Sequence, residues 1–146
     1  MSHTCLNYHI VFATKQRRQL LSDTLMPRLV KYLGGIIRDQ DGSLAEANGI
    51  GDHVHIAAAL PPTRAIADIL REVKAGSSAW MHRDFPDMRD FAWQEGYSAF
   101  TVSQSGMPDV SDYIRRQKEH HAKRTFLEEL ELLLKRHGLQ YDPRYL

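Results

Sequence analysis

The spacing of hydrophobic and polar residues predicts four strands and two long helices within residues 1–103. Strands are indicated where aromatic and β-branched residues cluster or alternate with polar ones, and helices where apolar residues recur every third or fourth position. In chain order the predicted elements are a strand over 7–14, a helix from Ser22 to about 39, a strand over 43–50, a strand from 52 that Pro61 and Pro62 end, a helix capped by Thr63 that runs to 82, and a strand over 96–103. This order is the split β-α-β pattern of ferredoxin-like folds.

The predicted fold class is α+β, built on a central antiparallel sheet of four strands. The turn over 49–52 is too short for a helical crossover, so the second and third strands should form an antiparallel hairpin. In this fold the first and third strands are central, and the sheet face that the two helices leave uncovered is free for a substrate.

Two further helices are predicted after a short linker. The first starts at Pro108 and the second covers 125–137, where apolar residues again follow helical spacing. We therefore expect a single domain over 1–146, with a ferredoxin-like core in 1–103 and C-terminal helices in 108–137.

Composition narrows the class of protein only slightly. The chain has 146 residues, 42% of them hydrophobic, and a formal net charge of +1, as is usual for one globular domain with no overall electrostatic bias. The lone Cys5 cannot form an internal disulfide, which fits a reducing compartment. No segment resembles a signal peptide or approaches the about 20 apolar residues that span a bilayer. We expect a cytoplasmic protein without a membrane partner.

Two histidines give the third strand its candidate chemistry. Side chains alternate across a strand, so His53 and His55 point to one side while Val54 and Ile56 point to the other. Two neutral imidazoles on one sheet face can bind a divalent ion if a third ligand arrives from elsewhere. A pair of polar residues on a solvated face is the alternative interpretation.

A tyrosine and a glutamine in the first C-terminal helix could complete such a site. Tyr113 and Gln117 are four residues apart and so share a helix face. The glutamine oxygen would be the third metal ligand, and the tyrosine oxygen would attack what the metal holds. By itself the pair is also common on ordinary helix surfaces.

Taken together, these motifs resemble the single-tyrosine HUH transposases of small bacterial insertion sequences, the TnpA-type or IS200-like group. The His-hydrophobic-His motif matches His53-Val54-His55, and the Tyr-x-x-x-Gln helix matches Tyr113 and Gln117. Further similar segments extend the resemblance, in order, over nearly the whole chain. They are 73–78, 91–97, 99–103, 119–121 and 141–146.

The resemblance implies a transposase that cleaves and rejoins single-stranded DNA by metal-dependent transesterification. Tyr113 would attack a phosphodiester and form a 5′-phosphotyrosine, and His53, His55 and Gln117 would hold Mg²⁺ or Mn²⁺. No nucleotide cofactor is expected, in agreement with the lack of a Gly-rich phosphate loop. The implied partners are single-stranded DNA with hairpin ends and a second copy of the chain, in a homodimer whose sites are built in cis or in trans. The sequence does not identify the proton acceptor for the tyrosine.

Basic residues near these motifs are candidates for DNA contacts, because Lys and Arg bind phosphates without sequence preference. They are Arg17, Arg18, Arg71, Lys74, Arg115, Arg116 and Lys118. Trp80 and Trp93 could stack on unpaired bases. His120 and His121 lie one turn beyond Gln117 and could approach the metal, but a helix surface or an interface is the favoured position. The alternative is a solvated surface for the basic residues and the core for the tryptophans.

Three other functions remain open at this stage. One is a domesticated relative with the same chemistry that acts on repeated palindromic elements of a host genome. Another is a non-catalytic module that binds single-stranded nucleic acid. The third is a metal hydrolase, which would not need the tyrosine.

Overall fold

The computed structural model describes residues 1–146 and confirms the α+β class. Its strands are β1 (Asn7–Ala13), β2 (Ser43–Ile50), β3 (His53–Ala59) and β4 (Ser98–Val102). Its helices are α1 (Met26–Asp39), α2 (Ile66–Asp84), α3 (Met107–Arg115), α4 (Gln117–His121) and α5 (Phe126–Arg136). None of these helices has the length and apolar character that crossing a membrane requires.

The four strands form one antiparallel sheet in the order β2-β3-β1-β4. The predicted hairpin of β2 and β3 is confirmed, and the first and third strands are central as expected. Val11 of β1 pairs with His55, and His9 pairs with Phe100 of β4. Cross-strand partners point to the same face, so His9, Val11, Phe100 and the two strand histidines share one side of the sheet.

The opposite face carries the main hydrophobic core under α1 and α2. Apolar residues of the central strands, such as Phe12 and Ile56, pack there against helix residues such as Leu33 and Leu70. Trp80 and Trp93 belong to this core and are 5% and 8% exposed. The suggestion that these tryptophans stack on DNA bases is therefore wrong, because their rings are already buried against protein.

The histidine face is covered by the C-terminal helices, so the expectation that it lies open for a substrate is wrong. The apolar stripe of α5 packs on Val11, Ala13 and Phe100, and α3 packs on Ala57 through Met107 and Ile114. An amphipathic helix must bury its apolar stripe, and this sheet face supplies the apolar surface.

Three element boundaries differ from the prediction. Helix α1 begins at Met26, because residues 22–25 form a turn in which Ser22 Oγ accepts a hydrogen bond from the Leu25 backbone N–H. Helix α2 begins at Ile66 with Ala65 as its N-cap, so Thr63 is not the cap. The single helix predicted to carry Tyr113 and Gln117 is interrupted at Arg116, whose backbone leaves helical geometry (φ −99°, ψ 30°).

Candidate active site

His53 and His55 lie on the covered face of the central strand β3, and both side chains are fully buried. The Nδ1 atom of His53 is 2.8 Å from Asp52 Oδ1, and the Nδ1 atom of His55 is 2.8 Å from His9 Nε2. A partner on Nδ1 orients an imidazole and leaves Nε2 for another ligand. Both Nε2 atoms face the carboxylate of Glu129.

Glu129 of α5 lies at the centre of the site and is only 3% exposed. Its Oε1 atom is 2.9 Å from His55 Nε2, 3.1 Å from His121 Nε2 and 3.4 Å from His53 Nε2. Its Oε2 atom accepts hydrogen bonds from the Tyr113 hydroxyl and, at 3.4 Å, from Gln117 Nε2. One carboxylate therefore links the strand histidines to the tyrosine and the glutamine.

Asn48 of β2 anchors the segment that carries the tyrosine and the glutamine. Its Nδ2 donates to the carbonyl oxygens of Ile114 and Arg115, at 3.2 and 3.1 Å. These carbonyls lie at the end of α3, where backbone acceptors have no partner within the helix. The anchored break at Arg116 separates Tyr113 from Gln117, yet both side chains reach Glu129 Oε2.

The expectation that His120 and His121 lie on a helix surface is wrong. The His120 ring stacks on Tyr113 with 4.4 Å between ring centroids, and its Nε2 is buried without a hydrogen-bond partner. The His121 side chain is 9% exposed and bonds to Glu129. Because α4 turns away from the axis of α3, both rings are directed into the site.

Burial and hydrogen bonding shift the pKa values of several groups in the site. Burial raises the pKa of the Tyr113 hydroxyl, and the hydrogen bond to Glu129 raises it further, so the phenol stays protonated. Burial disfavours the charged form of Glu129, but the hydrogen bonds with His121 and His55 and the proximity of His53 outweigh it and hold the carboxyl pKa far below its usual range. Burial lowers the pKa of His9 to about 3.

The pKa values of the two strand histidines shift in opposite directions. For His53, burial opposes protonation, but the hydrogen bond with Asp52 and the nearby carboxylate of Glu129 together outweigh it and raise the pKa. For His55, burial prevails and lowers the pKa, so this imidazole is neutral at pH 7. Neutral imidazole is the form that binds metals.

The donor atoms of the site have the composition of a divalent metal centre. One ligand atom each from His53, His55, His121 and Glu129 lie within 4.8 Å of one another. In addition, the Nε2 atom of His53 and the Oε1 atom of Gln117 are buried without hydrogen-bond partners. Unpartnered buried polar atoms are rare, and a metal ligand atom is one explanation for them.

Two cavities reach this buried group from the surface. A groove of about 450 Å³ between β4, α3 and α5 contains Tyr113, His9, Arg136 and His137 in its wall. A second cavity, of about 600 Å³, reaches Asp52 and His121 and is bordered by Lys123 and Arg124. Tyr113 therefore borders one opening, and His121 borders the other.

The predicted DNA-binding residues do not form one surface. Arg115, Arg116 and Lys118 are exposed near the end of α3 and line a common cavity with acidic neighbours. Arg115 pairs with Glu46 and Asp112, Arg116 with Asp112 and Glu119, and Lys118 with Asp23. Exposed pairs of this kind are weak, so the cations can exchange partners.

The other four candidates lie elsewhere on the molecule. Arg17 is exposed in the turn after β1, Arg18 pairs with Asp90, and Arg71 pairs with Asp68. The Lys74 ammonium donates to the carbonyl oxygens of Gln94 and Gly96 and lies 5.2 Å from the centre of the Phe12 ring. Of the four, Lys74 is engaged inside the protein.

Sequence reasoning missed Glu129 and His9. Both had a detectable signal. Glu129 falls on the apolar stripe of its helix, next to Leu130 and three residues after Phe126, which predicts a buried charge. His9 occupies an inward position of a strand otherwise rich in apolar residues.

Comparison with known proteins identifies related sequences. Residues 2–117 match the family described as "Transposase IS200 like". The transposase for insertion sequence element IS200 of Salmonella typhimurium is 30% identical over 127 residues, covering 82% of this chain and 82% of that protein. The ISDra2 transposase TnpA of Deinococcus radiodurans is 25% identical over 119 residues, covering 78% of this chain and 85% of the relative.

Solved structures share the fold. A crystal structure described as that of a "putative transposase" from Deinococcus radiodurans has a TM-score of 0.64 and 27% identity. The match covers 80% of this chain and 93% of that one. The structure of a REP-associated tyrosine transposase bound to a REP hairpin has a TM-score of 0.60 and 16% identity, with 83% and 74% of the two chains covered. The family match ends at residue 117, so Glu129 lies beyond it.

Proposed function

The chain belongs to the family of IS200-like transposases, and we propose that it cleaves and rejoins single-stranded DNA through a covalent bond between Tyr113 and a 5′-phosphate. Transposase function follows from the family. The tyrosine mechanism is supported above all by one contact, the hydrogen bond from the Tyr113 hydroxyl to the carboxylate that also meets His53 and His55. Metal-assisted phosphoryl transfer needs a nucleophile next to residues that can bind a metal ion.

In the cleavage step, the Tyr113 oxygen bonds to phosphorus and the bond to the 3′ oxygen breaks. The products are a 5′-phosphotyrosine and a strand that ends in a 3′-OH. Attack by a 3′-OH on the phosphotyrosine reverses the exchange and joins two strands. One phosphodiester bond replaces another, so no nucleotide cofactor is consumed.

The proton of Tyr113 leaves during the attack and not before it. Burial and the neighbouring carboxylate raise the pKa of this phenol, so little phenolate exists at neutral pH. The Oε2 atom of Glu129 already accepts the hydroxyl hydrogen bond and is the nearest acceptor for this proton. Because the Glu129 pKa is held low, the carboxylate carries the proton only transiently, and the departing 3′ oxygen takes up a proton to form the 3′-OH, so the step balances.

The proposed metal ligands are His53, His55 and Gln117, and the residues present fit a divalent cation. The unpartnered His53 Nε2 and Gln117 Oε1 atoms support this assignment. When bound, Mg²⁺ or Mn²⁺ supplies Lewis-acid polarisation of the scissile phosphate. Asp52 and His9 act as positioning residues, because each holds the Nδ1 atom of one strand histidine.

We propose that the substrate is a DNA hairpin with a single-stranded flank, as the hairpin-bound relative of the same fold suggests. The groove of about 450 Å³ at Tyr113 is the route for the flank, with Arg136 at its wall to meet phosphate. Exposed Arg17 and the basic group Arg115, Arg116 and Lys118 are the proposed contacts for the duplex.

A homodimer remains a proposal drawn from the family resemblance. In the single chain, Tyr113 lies over the histidines of its own sheet, and its ring centroid is 5.8 Å from that of His55. A site completed in trans would require α3 to leave this position through the linker at 104–106. Light scattering of the protein with and without hairpin DNA distinguishes monomer from dimer.

A covalent adduct assay tests the proposed function. The protein is incubated with Mn²⁺ and labelled hairpin oligonucleotides taken from the DNA that flanks its own gene, and denaturing gels reveal protein–DNA adducts. We expect an adduct with the wild type and with the control variant Tyr141→Phe, and none with Tyr113→Phe, which should still bind the hairpin. An adduct that survives in Tyr113→Phe would exclude this nucleophile, and cleavage without any adduct would favour a metal hydrolase.

A further inference from the structure

Glu129 is a buried carboxylate without a lysine or arginine partner. Its ion-pair partners are the imidazoles of His53, His55 and His121. A buried carboxylate is costly unless it is paired with a cation or coordinates a metal. The other contacts of its oxygens are the Tyr113 hydroxyl and Gln117 Nε2, and neither group carries a charge.

The proposed ligands His53, His55 and Gln117 lack the negative charge that would balance a divalent cation. Two neutral imidazoles and an amide oxygen bring no negative charge to a dication, and all three side chains are fully buried. Removing a doubly charged ion from water without an anionic ligand is unfavourable. The carboxylate that would correct both deficits is Glu129, whose Oε1 atom is 2.9 Å from His55 Nε2.

We propose that Glu129 is a ligand of the divalent cation in this chain, and that its Oε1 atom completes a centre with His53, His55 and His121. The inference rests on the proposed function in one respect, namely that a cation binds at this site. It extends the ligand set with two residues, His121 of α4 and Glu129 of α5, that lie beyond the matched family region of 2–117.

Neighbouring residues orient the ligand atoms of these four side chains, as they do in metal centres. Each strand histidine has its Nδ1 atom held by a neighbour, Asp52 for His53 and His9 for His55, so both present Nε2. Gln117 and Tyr113 hold the second oxygen of Glu129, which leaves Oε1 directed at the imidazoles. His121 Nε2 lies 3.1 Å from the same oxygen.

Ligation by Glu129 would also couple the cation to the docking of α5. Phe126 and Leu130 on the same helix pack against the sheet, so a bond from Glu129 to the cation would add to that packing. Metal binding should therefore raise the stability of the whole chain by mass action on the native state. These four ligands and Gln117 all come from one chain, so a monomer should bind one cation.

Mn²⁺ titration of purified, metal-free protein tests the inference. Calorimetry measures affinity and stoichiometry for the wild type, Glu129→Gln, His121→Gln, His55→Gln and the matched control Glu128→Gln. Glu128 is exposed on the same helix and bonds to Thr125. Co²⁺ in place of Mn²⁺ adds a visible spectrum that reports the number and kind of ligands. Circular dichroism in EDTA checks that each variant is folded.

We expect one Mn²⁺ per chain in the wild type and in Glu128→Gln. Loss of a residue that merely supports a metal ligand already costs about 10–100-fold in affinity, so loss of the charged ligand in Glu129→Gln should cost about 100-fold or more. The Co²⁺ spectrum of Glu129→Gln should change in both position and intensity. His121→Gln should weaken binding in the same direction.

Two results would overturn the inference, and they differ in what they leave standing. Wild-type affinity in Glu129→Gln, together with lost binding in His55→Gln, would remove Glu129 from the ligand set and leave the proposed function intact. No Mn²⁺ binding by any protein would remove the metal from both. If Glu129→Gln does not fold, Glu129→Asp replaces it, and an unchanged affinity and Co²⁺ spectrum in that variant would also contradict ligation.

Discussion

The hydroxyl of Tyr113 donates a hydrogen bond to the carboxylate of Glu129, and this contact joins α3 to α5 above His55. The two residues are 16 positions apart and lie on different helices, so the bond exists only in the folded chain. It connects the proposed nucleophile to the only buried carboxylate of the core.

This bond should be measurable as a coupling energy. In EDTA, Tyr113→Phe, Glu129→Gln and the double variant form a thermodynamic cycle, with the free energy of unfolding obtained from urea denaturation. A hydrogen bond to a charged group contributes about 1.5–3 kcal/mol, and we expect a coupling of about 1–2 kcal/mol because Tyr113 is only half-buried. Tyr141→Phe should show no coupling to Glu129→Gln. Strict additivity of the first pair would contradict the contact.

The packing of α5 predicts that residues on its buried face stabilise the protein and that residues on its exposed face do not. Leu130 is 6% exposed and packs towards Val11 and Phe100, whereas Leu132 on the same helix is 42% exposed. Leu130→Ala should lower the free energy of unfolding by about 2–4 kcal/mol and expose α5 to proteolysis. Leu132→Ala should change it by no more than about 0.5 kcal/mol. Equal effects of the two substitutions would contradict the observed docking of α5.

Two glycines are predicted to respond oppositely to alanine. A Cβ at Gly49 would lie 2.2 Å from the backbone oxygen of His53, so the hairpin beside the histidine would have to shift. A Cβ at Gly35 of α1 would meet nothing closer than an arginine side-chain atom at 3.8 Å. We expect Gly49→Ala to cost about 1–3 kcal/mol and Gly35→Ala to stabilise by about 0.5–1 kcal/mol. Thermal unfolding of both variants checks the two signs, and a stabilised Gly49→Ala would be incompatible with this hairpin.

Of the basic residues considered as DNA contacts, Lys74 should have a structural role and Arg17 a DNA-binding role. Lys74→Met removes an ammonium that donates to two backbone carbonyls, so it should lower the free energy of unfolding by about 1–3 kcal/mol. Arg17→Ala changes an exposed side chain and should leave stability within about 0.5 kcal/mol.

The salt dependence of DNA binding tests the proposed role of Arg17. If Arg17 contacts a phosphate of the hairpin duplex, its loss should reduce the slope of log affinity against log salt by about 0.9. Filter binding or fluorescence anisotropy over a range of NaCl concentrations measures that slope. An unchanged slope and affinity in Arg17→Ala would place the DNA path elsewhere on the molecule.

Local patterns in the sequence determined the hairpin of β2 and β3 and the placement of the histidines. Alternation along 53–59 dictates that His53 and His55 share a face, and the short turn at 49–52 dictates an antiparallel hairpin. The four-residue spacing of Tyr113 and Gln117 marked the second half of the candidate site. These features depend on neighbours within one element or one turn, which periodicity reports directly.

Only the tertiary structure decided what covers the histidine face. The stripe of α5 shows that the helix buries one side, but periodicity does not say which surface receives it. Contact with Val11 and Phe100 brings Glu129 onto the two histidines, and the break at Arg116, anchored by Asn48, turns His121 inward. Such contacts join residues far apart in the chain, and their stability comes from burying apolar area and pairing polar atoms across elements, which no local sequence pattern encodes.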